Sequence, residues 1–443
     1  MRAAIDPLDR RIVGLAVPAL GALVVEPLYN LTDTAIVGHL GRISLGGLAL
    51  ATAVLNVAVY AFGFLAMATT PRVSFLRGRG DDEGAAGAAV TAYWLAAALG
   101  VVLAAVVVGA ARPLAELAGG HGAELSRAVT YLRVASIGMP FVLVMLAGNG
   151  HLRGLADTRT PFRITVASNV LNVAVEVGLV YGLGWGVAGS ALGTVLAQAF
   201  AAGLFLRAGY VHSPRPVRWR PDPAEARRLV RNGSVLVVRT VALLLALDGS
   251  TVVAARLGVV RLGGHQIALQ VWFLVALSLD ALAVPAQILI GEAFGASDPD
   301  AAARIARRVL LVGVVVAGGL GLLTVALAPV LPALFTADPA IRHQALIGIA
   351  FAGVTLPLAA AAFELDGILI GAGDFAYLRF AMITALAGFA PLAALTWVDH
   401  GLGLPGVWGA MGCWLATRAA VLARRWRSDR WRSGPVLPAG RVP

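Results

Sequence analysis

The sequence predicts an all-α polytopic membrane protein, with twelve transmembrane helices in two six-helix lobes that form parallel repeats around a central cavity. Three observations carry that reading. Apolar residues make up 59% of the 443 and charged residues only 13%, against about 25% charged in an ordinary soluble domain, so no water-soluble surface can be assembled. The apolar residues gather in runs of roughly 20 or more, enough to cross a hydrocarbon layer about 30 Å thick. The two halves of the chain also match each other at one fixed shift.

The runs lie at about 12–38, 45–70, 85–110, 128–149, 162–184, 187–207, 229–253, 264–291, 306–331, 345–370, 378–398 and 404–423. They are continuous rather than alternating, and only helices or closed barrels satisfy the backbone in lipid, so all are read as helices, numbered 1 to 12. Helix 1 exceeds a secretory h-region and no small-residue cleavage site follows it, so it is expected to stay as an anchor. It contains Pro18 and Pro27, each of which removes a backbone hydrogen bond and permits a kink; both are candidate hinges. Cys413, the single cysteine, sits in the last run and reads as a small core residue.

The loops between the runs orient the chain. All 35 basic residues are arginine, and 26 of them fall on one side when alternate loops are assigned to alternate faces, against seven on the other. The positive-inside rule then places both termini in the cytoplasm of a multi-pass inner-membrane protein. The net charge of +11 is thus a topology signal; arginines scattered over many short loops do not make a nucleic-acid surface. The expected partition is residues 1–207 as the N-lobe, 208–228 as a basic, proline-rich cytoplasmic linker (Pro214, Pro216, Pro221, Pro223), 229–425 as the C-lobe and 426–443 as a basic cytoplasmic tail.

The halves repeat at a shift of 217. Leu40-Gly41 recurs as Leu257-Gly258, Asp81 as Asp298, Pro140 as Pro357, and Gly154 to Asp157 as Gly371 to Asp374. Near the end the shift reads as 220, with Gly186-Val187 and Gly189 recurring as Gly406-Val407 and Gly409. Six helices per half is an even number, so the second half enters the membrane in the same orientation as the first, the layout from which transporters build a cavity that opens alternately to either side.

An ionisable side chain at the centre of a span costs about 2.5–3.5 kcal/mol, so each one marks a candidate site. The first half holds Glu26 and Asp33 in helix 1 and Glu176 in helix 5; the second holds Arg239 and Asp248 in helix 7, Asp280 in helix 8, and Glu364 and Asp366 in helix 10. Asn169, Asn172 and Glu176 are spaced three and then four apart, which puts them on one face of helix 5. Carboxylates on two helices, one of them bendable, suit a proton or sodium site, because desolvation and like charge disfavour two ionised groups at once. Arg239 needs a buried partner among Asp248, Asp280 and Asp366.

With no lysine in the chain, a phosphate-binding G-x-x-x-x-G-K-[ST] loop is excluded. The seven histidines lack metal-ligand spacing, and no G-x-S-x-G elbow occurs, so no metal, cofactor or enzyme activity is expected. Gly371-Ala372-Gly373-Asp374 has the form used by intramembrane aspartyl proteases, but it lacks a companion Tyr-Asp pair and repeats Gly154 to Asp157. It reads as a turn.

Three segments carry a family resemblance: Leu31 to Gly41, His151 to Pro161, and Asp366 to Asp374. Together they resemble the multidrug and toxic compound extrusion (MATE) family, in particular its DinF-like branch, over about residues 10–425. The resemblance implies an antiporter that expels small organic, often cationic, compounds while H+ or Na+ enters, working as a monomer in the bilayer. It implies a cation site at Asp33, Asn172, Glu176 and Thr194, and a cavity lined by Tyr29, Tyr131, Asn149 and Glu26. The family often has aspartate where this chain has Glu176. In the C-lobe it implies a polar network of Arg239, Asp248, Asp280 and Asp366. A lipid-linked-precursor flippase of the same superfamily is the alternative, and would be expected to carry more buried cations than Arg239 alone.

Overall fold

The computed structural model describes residues 6–213 and 219–433. Pro214 and Pro216 of the expected linker and residues 434–443 of the expected tail lie outside the described residues. Among the described residues there is no strand. Eleven helices among the described residues are long and apolar enough to cross a membrane: helix 1 (Pro7–Gly38), helix 2 (Arg42–Gly78), helix 3 (Asp82–Gly109), helix 4 (Gly122–Gly154), helix 5 (Arg159–Gly182), helix 6 (Gly186–His212), helix 7 (Pro223–Arg256), helix 8 (Val259–Gly295), helix 9 (Pro299–Leu327), helix 10 (Pro339–Gly371) and helix 11 (Phe375–Val398). Helix 12 (Gly403–Arg427) completes the twelve. It falls below the others in hydropathy because it carries Arg418 and an arginine-rich last turn.

The helices break where the chemistry of the chain requires it. Helix 2 turns once between Tyr60 and Phe64. Helix 4 tightens into a 3-10 turn at Ser136–Gly138 before Pro140, whose ring nitrogen has no proton for the helical ladder. Helix 5 loosens into a π-turn at Gly178–Gly182. Helices 3 and 9 start alike: Asp81 accepts the amide of Gly84 at 2.8 Å and Asp298 that of Ala301 at 2.7 Å, each satisfying an orphan donor of the first turn.

The duplication is written in the backbone. Gly41 and Gly258, both just ahead of a helix, have φ of 99° and 102°. Left-handed residues also pair at Gly80 with Ser297 and at Ala156 with Gly373. A Cβ on Gly150 would lie 2.9 Å from the Ala66 carbonyl, and one on Gly367 2.8 Å from that of Ala283. Such bare positions let helix backbones approach closely, which is how membrane helices pack without a hydrophobic drive.

The same contacts correct the expected change of shift to 220. Gly186 and Gly403 open helices 6 and 12 with φ of 55° and 54°. Gly189 packs against Leu179 and Trp185, and Gly406 against Thr396 and Leu402, so the shift stays at 217 to the end. The run Gly403 to Gly409 is rich enough in glycine that a register one turn too late also matches by letter.

Two compact units partition the chain, one of Val17–Gly233 and the other of Met1–Ala16 with Ser234–Pro443. The two boundaries are themselves one repeat apart, and each falls inside the first helix of its half. The start of helix 7 is held in the first unit: Glu225 takes two hydrogen bonds from Arg72, at 2.8 and 3.0 Å, and the Asp222 amide donates to Thr91 at 3.0 Å. The start of helix 1 is held in the second unit, by Asp9 with Arg308 and Arg11 with Glu292. The residues expected to form a linker are helical as far as His212 and again from Pro223.

Each unit buries its own core. The first packs Val37, Leu48, Tyr131 and Leu132 together, and the second a larger set around Trp272, Phe389, Trp408 and Trp414. Cys413, expected in a core, is exposed. An apolar residue on a membrane helix does not need the protein interior to leave water, so hydropathy alone does not locate its face.

Candidate functional site

A cavity of about 340 Å³ lies within the first unit, the size of a small-molecule pocket. Its wall includes Glu26, Tyr29 and Asp33 of helix 1, Tyr131 and Asn149 of helix 4, Asn172 of helix 5 and Thr194 of helix 6. On helix 1 the spacing of three and then four from Glu26 to Tyr29 to Asp33 keeps the three side chains on one face.

At the inner edge of the cavity the polar groups interlock. The Thr194 hydroxyl donates to the Ser190 carbonyl at 3.2 Å and accepts from the Asn172 amide at 3.4 Å. It also lies 2.9 Å from the Tyr29 hydroxyl; with its single proton already given to Ser190, Thr194 accepts here and Tyr29 donates. The Ser190 hydroxyl donates to Asp33 at 2.9 Å. Tyr181, in the π-turn of helix 5, donates to the Ile36 carbonyl at 2.7 Å and ties the end of helix 1 to helix 5. Gly193 allows helix 6 to come against Glu176, since a Cβ there would lie 3.1 Å from the Glu176 Cα.

Glu176 is fully buried beside Asp33 and Ser190. Neither of its carboxylate oxygens has a hydrogen-bond partner among the described residues, nor does the Asn172 side-chain oxygen. A buried carboxylate left unpaired is costly, so it calls for a bound proton or a cation. Asp33, Asn172, Glu176 and Thr194 are therefore brought together, and all four are buried. Glu26 lies on the cavity wall but is exposed. Pro18 and Pro27 both lie inside a continuous helix 1, and Pro18 is two residues past the unit boundary.

The second unit holds a different cluster. Asp366 accepts from both Arg239 and Arg418, and all three are buried. The Arg418 guanidinium also sits over Phe363 and Trp414, at 4.9 and 5.5 Å from the ring centres. Glu364 is fully buried with neither oxygen hydrogen-bonded among the described residues, and Asp280 is its charged neighbour. Asp248 stands exposed, apart from this cluster. Arg418 escapes the reading of the sequence; its signal is an arginine in the middle of the last apolar run. Ser190 also goes unmarked, since serine is common in membrane helices.

The two polar sites do not occupy equivalent positions. At the shift of 217, Tyr29, Asn172, Glu176, Ser190 and Thr194 fall on Ala246, Phe389, Ala393, Val407 and Met411, all members of the second unit's apolar core. Arg239, Glu364 and Arg418 fall in turn on Ala22, Ala147 and Ala201. Where the first unit has its polar cavity groups the second has apolar core. Among the described residues no group of three His, Cys, Asp or Glu side chains is placed to hold a metal ion.

Twelve apolar helices in a duplicated pair of units, with a polar cavity in one of them, have the layout of a membrane transporter. Comparison with known proteins specifies it further. The MatE family model matches residues 18–178 and 240–396, one stretch in each half, and the chain belongs to this family. Protein DETOXIFICATION 44, chloroplastic, of Arabidopsis thaliana is 30% identical over 97% of this chain and 84% of its own length. DNA damage-inducible protein F of Escherichia coli strain K12 is 28% identical over 97% and 94%. Among solved structures, MATE in the bent conformation superposes with a TM-score of 0.87 at 22% identity, covering 95% of each chain, a likeness of fold. The chain is a multi-pass membrane transporter of the multidrug and toxin efflux family and not an enzyme.

Proposed function

We propose that the protein is a secondary antiporter that exports organic, cationic or amphipathic toxic compounds in exchange for H+ or Na+ by alternating access. The observation that carries this reading is the fully buried Glu176 carboxylate, without a hydrogen-bond partner among the described residues, set beside Asp33, which lines a ligand-sized cavity. Asp33, Asn172, Glu176 and Thr194 take the coupling ion. Glu26, Tyr29, Tyr131 and Asn149 line the space for the cargo. Arg239, Asp280 and Asp366, together with Arg418, form the polar network of the C-lobe. The arginine-rich loops set both termini in the cytoplasm of an inner membrane, and the protein works as a monomer.

In the mechanism, cargo occupies the N-lobe cavity while the Asp33 and Glu176 pair shares one negative charge. Entry of H+ or Na+ neutralises the pair, helix 1 bends at Pro18 or Pro27, the cavity narrows and the cargo leaves. The ion drives the cycle only to the extent that it binds the two states unequally. Asp33→Asn, purified and reconstituted in proteoliposomes, is expected to lose dye export while its membrane content stays normal; export at the wild-type rate refutes the assignment. Replacing a pH gradient with a sodium gradient in the same vesicles identifies the ion by which one energises export.

A further inference from the structure

The second unit buries a tryptophan where the first has a pocket. Beyond helix 12 the chain makes a 3-10 turn at Arg430–Ser433, and Trp431 in that turn is fully buried, its indole nearly perpendicular to the Phe294 ring at the end of helix 8 with the centres 5.8 Å apart. The indole N–H donates to the Trp426 carbonyl at 2.9 Å. At the shift of 217, Phe294, Ala303 and Arg430 fall on Arg77, Ala86 and Ser213, and these three line a pocket of about 360 Å³ in the first unit, together with Asp82 and His151. Pro214, the sequence counterpart of Trp431, carries no aromatic ring and lies outside the described residues. The pocket shares no wall residue with the cavity lined by Asp33.

The exchange of wall residues tells which chemistry suits the pocket, whose volume is in the range of small-molecule sites. Position for position, the buried Phe294 and Ile368 of the second unit become Arg77 and His151. Arg77 donates through one N–H to the Leu155 carbonyl, but stacking on a planar ring uses the flat face of a guanidinium rather than its edge. His151 is fully buried and has one hydrogen bond among the described residues, between Nδ1 and the Tyr93 hydroxyl at 3.2 Å, so its other ring nitrogen serves a ligand as donor or acceptor. Asp82 accepts N–H donors. A flat ring with both nitrogen acceptors and N–H donors on its edge meets all three groups. An apolar ring leaves the buried imidazole unmatched, and a bare anion meets the Asp82 carboxylate.

We infer that this pocket is a second binding site of the first unit and takes a planar nitrogen heteroaromatic of the purine type, seated where Trp431 sits in the second unit, with its face on Arg77 and its edge on His151 and Asp82. Binding here does not depend on the antiport reading. The probe is radiolabelled adenine, in equilibrium dialysis against the full chain purified in detergent, and saturable binding of one adenine per chain is expected. Arg77→Leu is expected to weaken it about fivefold, the scale of a lost cation–π contact. Ala86→Phe, which puts a ring of the protein's own into the pocket, is expected to abolish it. Asp33→Asn, in the other cavity, is expected to bind adenine as tightly as wild type. Absence of saturable binding to wild type overturns the inference, and so does wild-type affinity in Arg77→Leu. Loss of binding in Asp33→Asn assigns adenine to the other cavity and overturns it as well. If Ala86→Phe does not reach the membrane, Arg77→Leu, a change at an exposed residue, decides alone.

Discussion

Replacing Asp366 by asparagine keeps the shape of the side chain and removes its charge, leaving two guanidinium groups in the interior of the second unit without their common counter-ion. Arg418 is 1% exposed, Asp366 4% and Arg239 8%, and both arginines donate to the same carboxylate oxygen, Oδ2. Water cannot take over the role of the carboxylate at that burial. Removing one partner of a buried ion pair costs about 3–5 kcal/mol, a large part of a typical stability of about 5–15 kcal/mol. Denaturant unfolding in detergent, followed by tryptophan fluorescence, measures it; Trp414, against the Arg418 guanidinium, is a local reporter. Replacing all three residues together, with Asp366→Leu, Arg239→Met and Arg418→Met, is expected to restore most of the loss, because both buried guanidinium groups leave together with their counter-ion. Two positions away, Glu364→Gln removes a carboxylate that has no hydrogen-bond partner among the described residues and is expected to change stability by under about 1 kcal/mol. A loss below about 1 kcal/mol for Asp366→Asn refutes the reasoning, since the arginines would then have another counter-ion.

Three further outcomes are expected. Gly41→Ala and Gly258→Ala place a side chain at φ of 99° and 102°, and each is expected to destabilise its own half by about 1–2 kcal/mol; equal losses in denaturant unfolding test the equivalence of the two turns. Gly100→Ala puts a Cβ 2.4 Å from the Pro140 Cα, a backbone atom that cannot rotate away, so a loss of about 1–3 kcal/mol is expected; a thermal midpoint equal to wild type contradicts the close contact of helices 3 and 4. Thr194→Val removes the oxygen that Asn172 and Tyr29 share and is expected to raise the ion concentration for half-maximal export about tenfold, read as export rate against imposed gradient.

Much of this architecture is legible in the sequence because lipid forbids alternatives. A run of twenty apolar residues has one stable conformation there, so the helices and their number follow from hydropathy, and the duplication follows from repeated turn residues such as Gly41 and Gly258. The cavity acids are legible for the same reason, since carboxylates in apolar runs are few. What hydropathy does not encode is rotation about a helix axis and the reach of long side chains. Cys413 is apolar enough to lie on any face of helix 12. Asp248 and Asp366 look equivalent as letters, and only packing makes one exposed and the other the partner of two arginines. Arg153 reads as a loop residue in the sequence but lies in the last turn of helix 4, on the cavity wall.

The complementary filling of the two units bears on which of them handles the ion. Burying an unpaired carboxylate is tolerated only where a proton or cation can reach it, and Glu176 lies beside Asp33, which lines the first unit's cavity, while its counterpart Ala393 sits in an apolar core. In the second unit the Asp366 carboxylate is already held by two fixed guanidinium groups. A site whose charge is satisfied by fixed groups gains little from an incoming ion, whereas a site lacking a counter-charge gains much, and only such a difference in gain can drive a cycle. On the proposed antiport mechanism the coupling ion is expected to act at Asp33 and Glu176, where the polar groups are incomplete, and the Asp366 cluster to hold helices 7, 10 and 12 together.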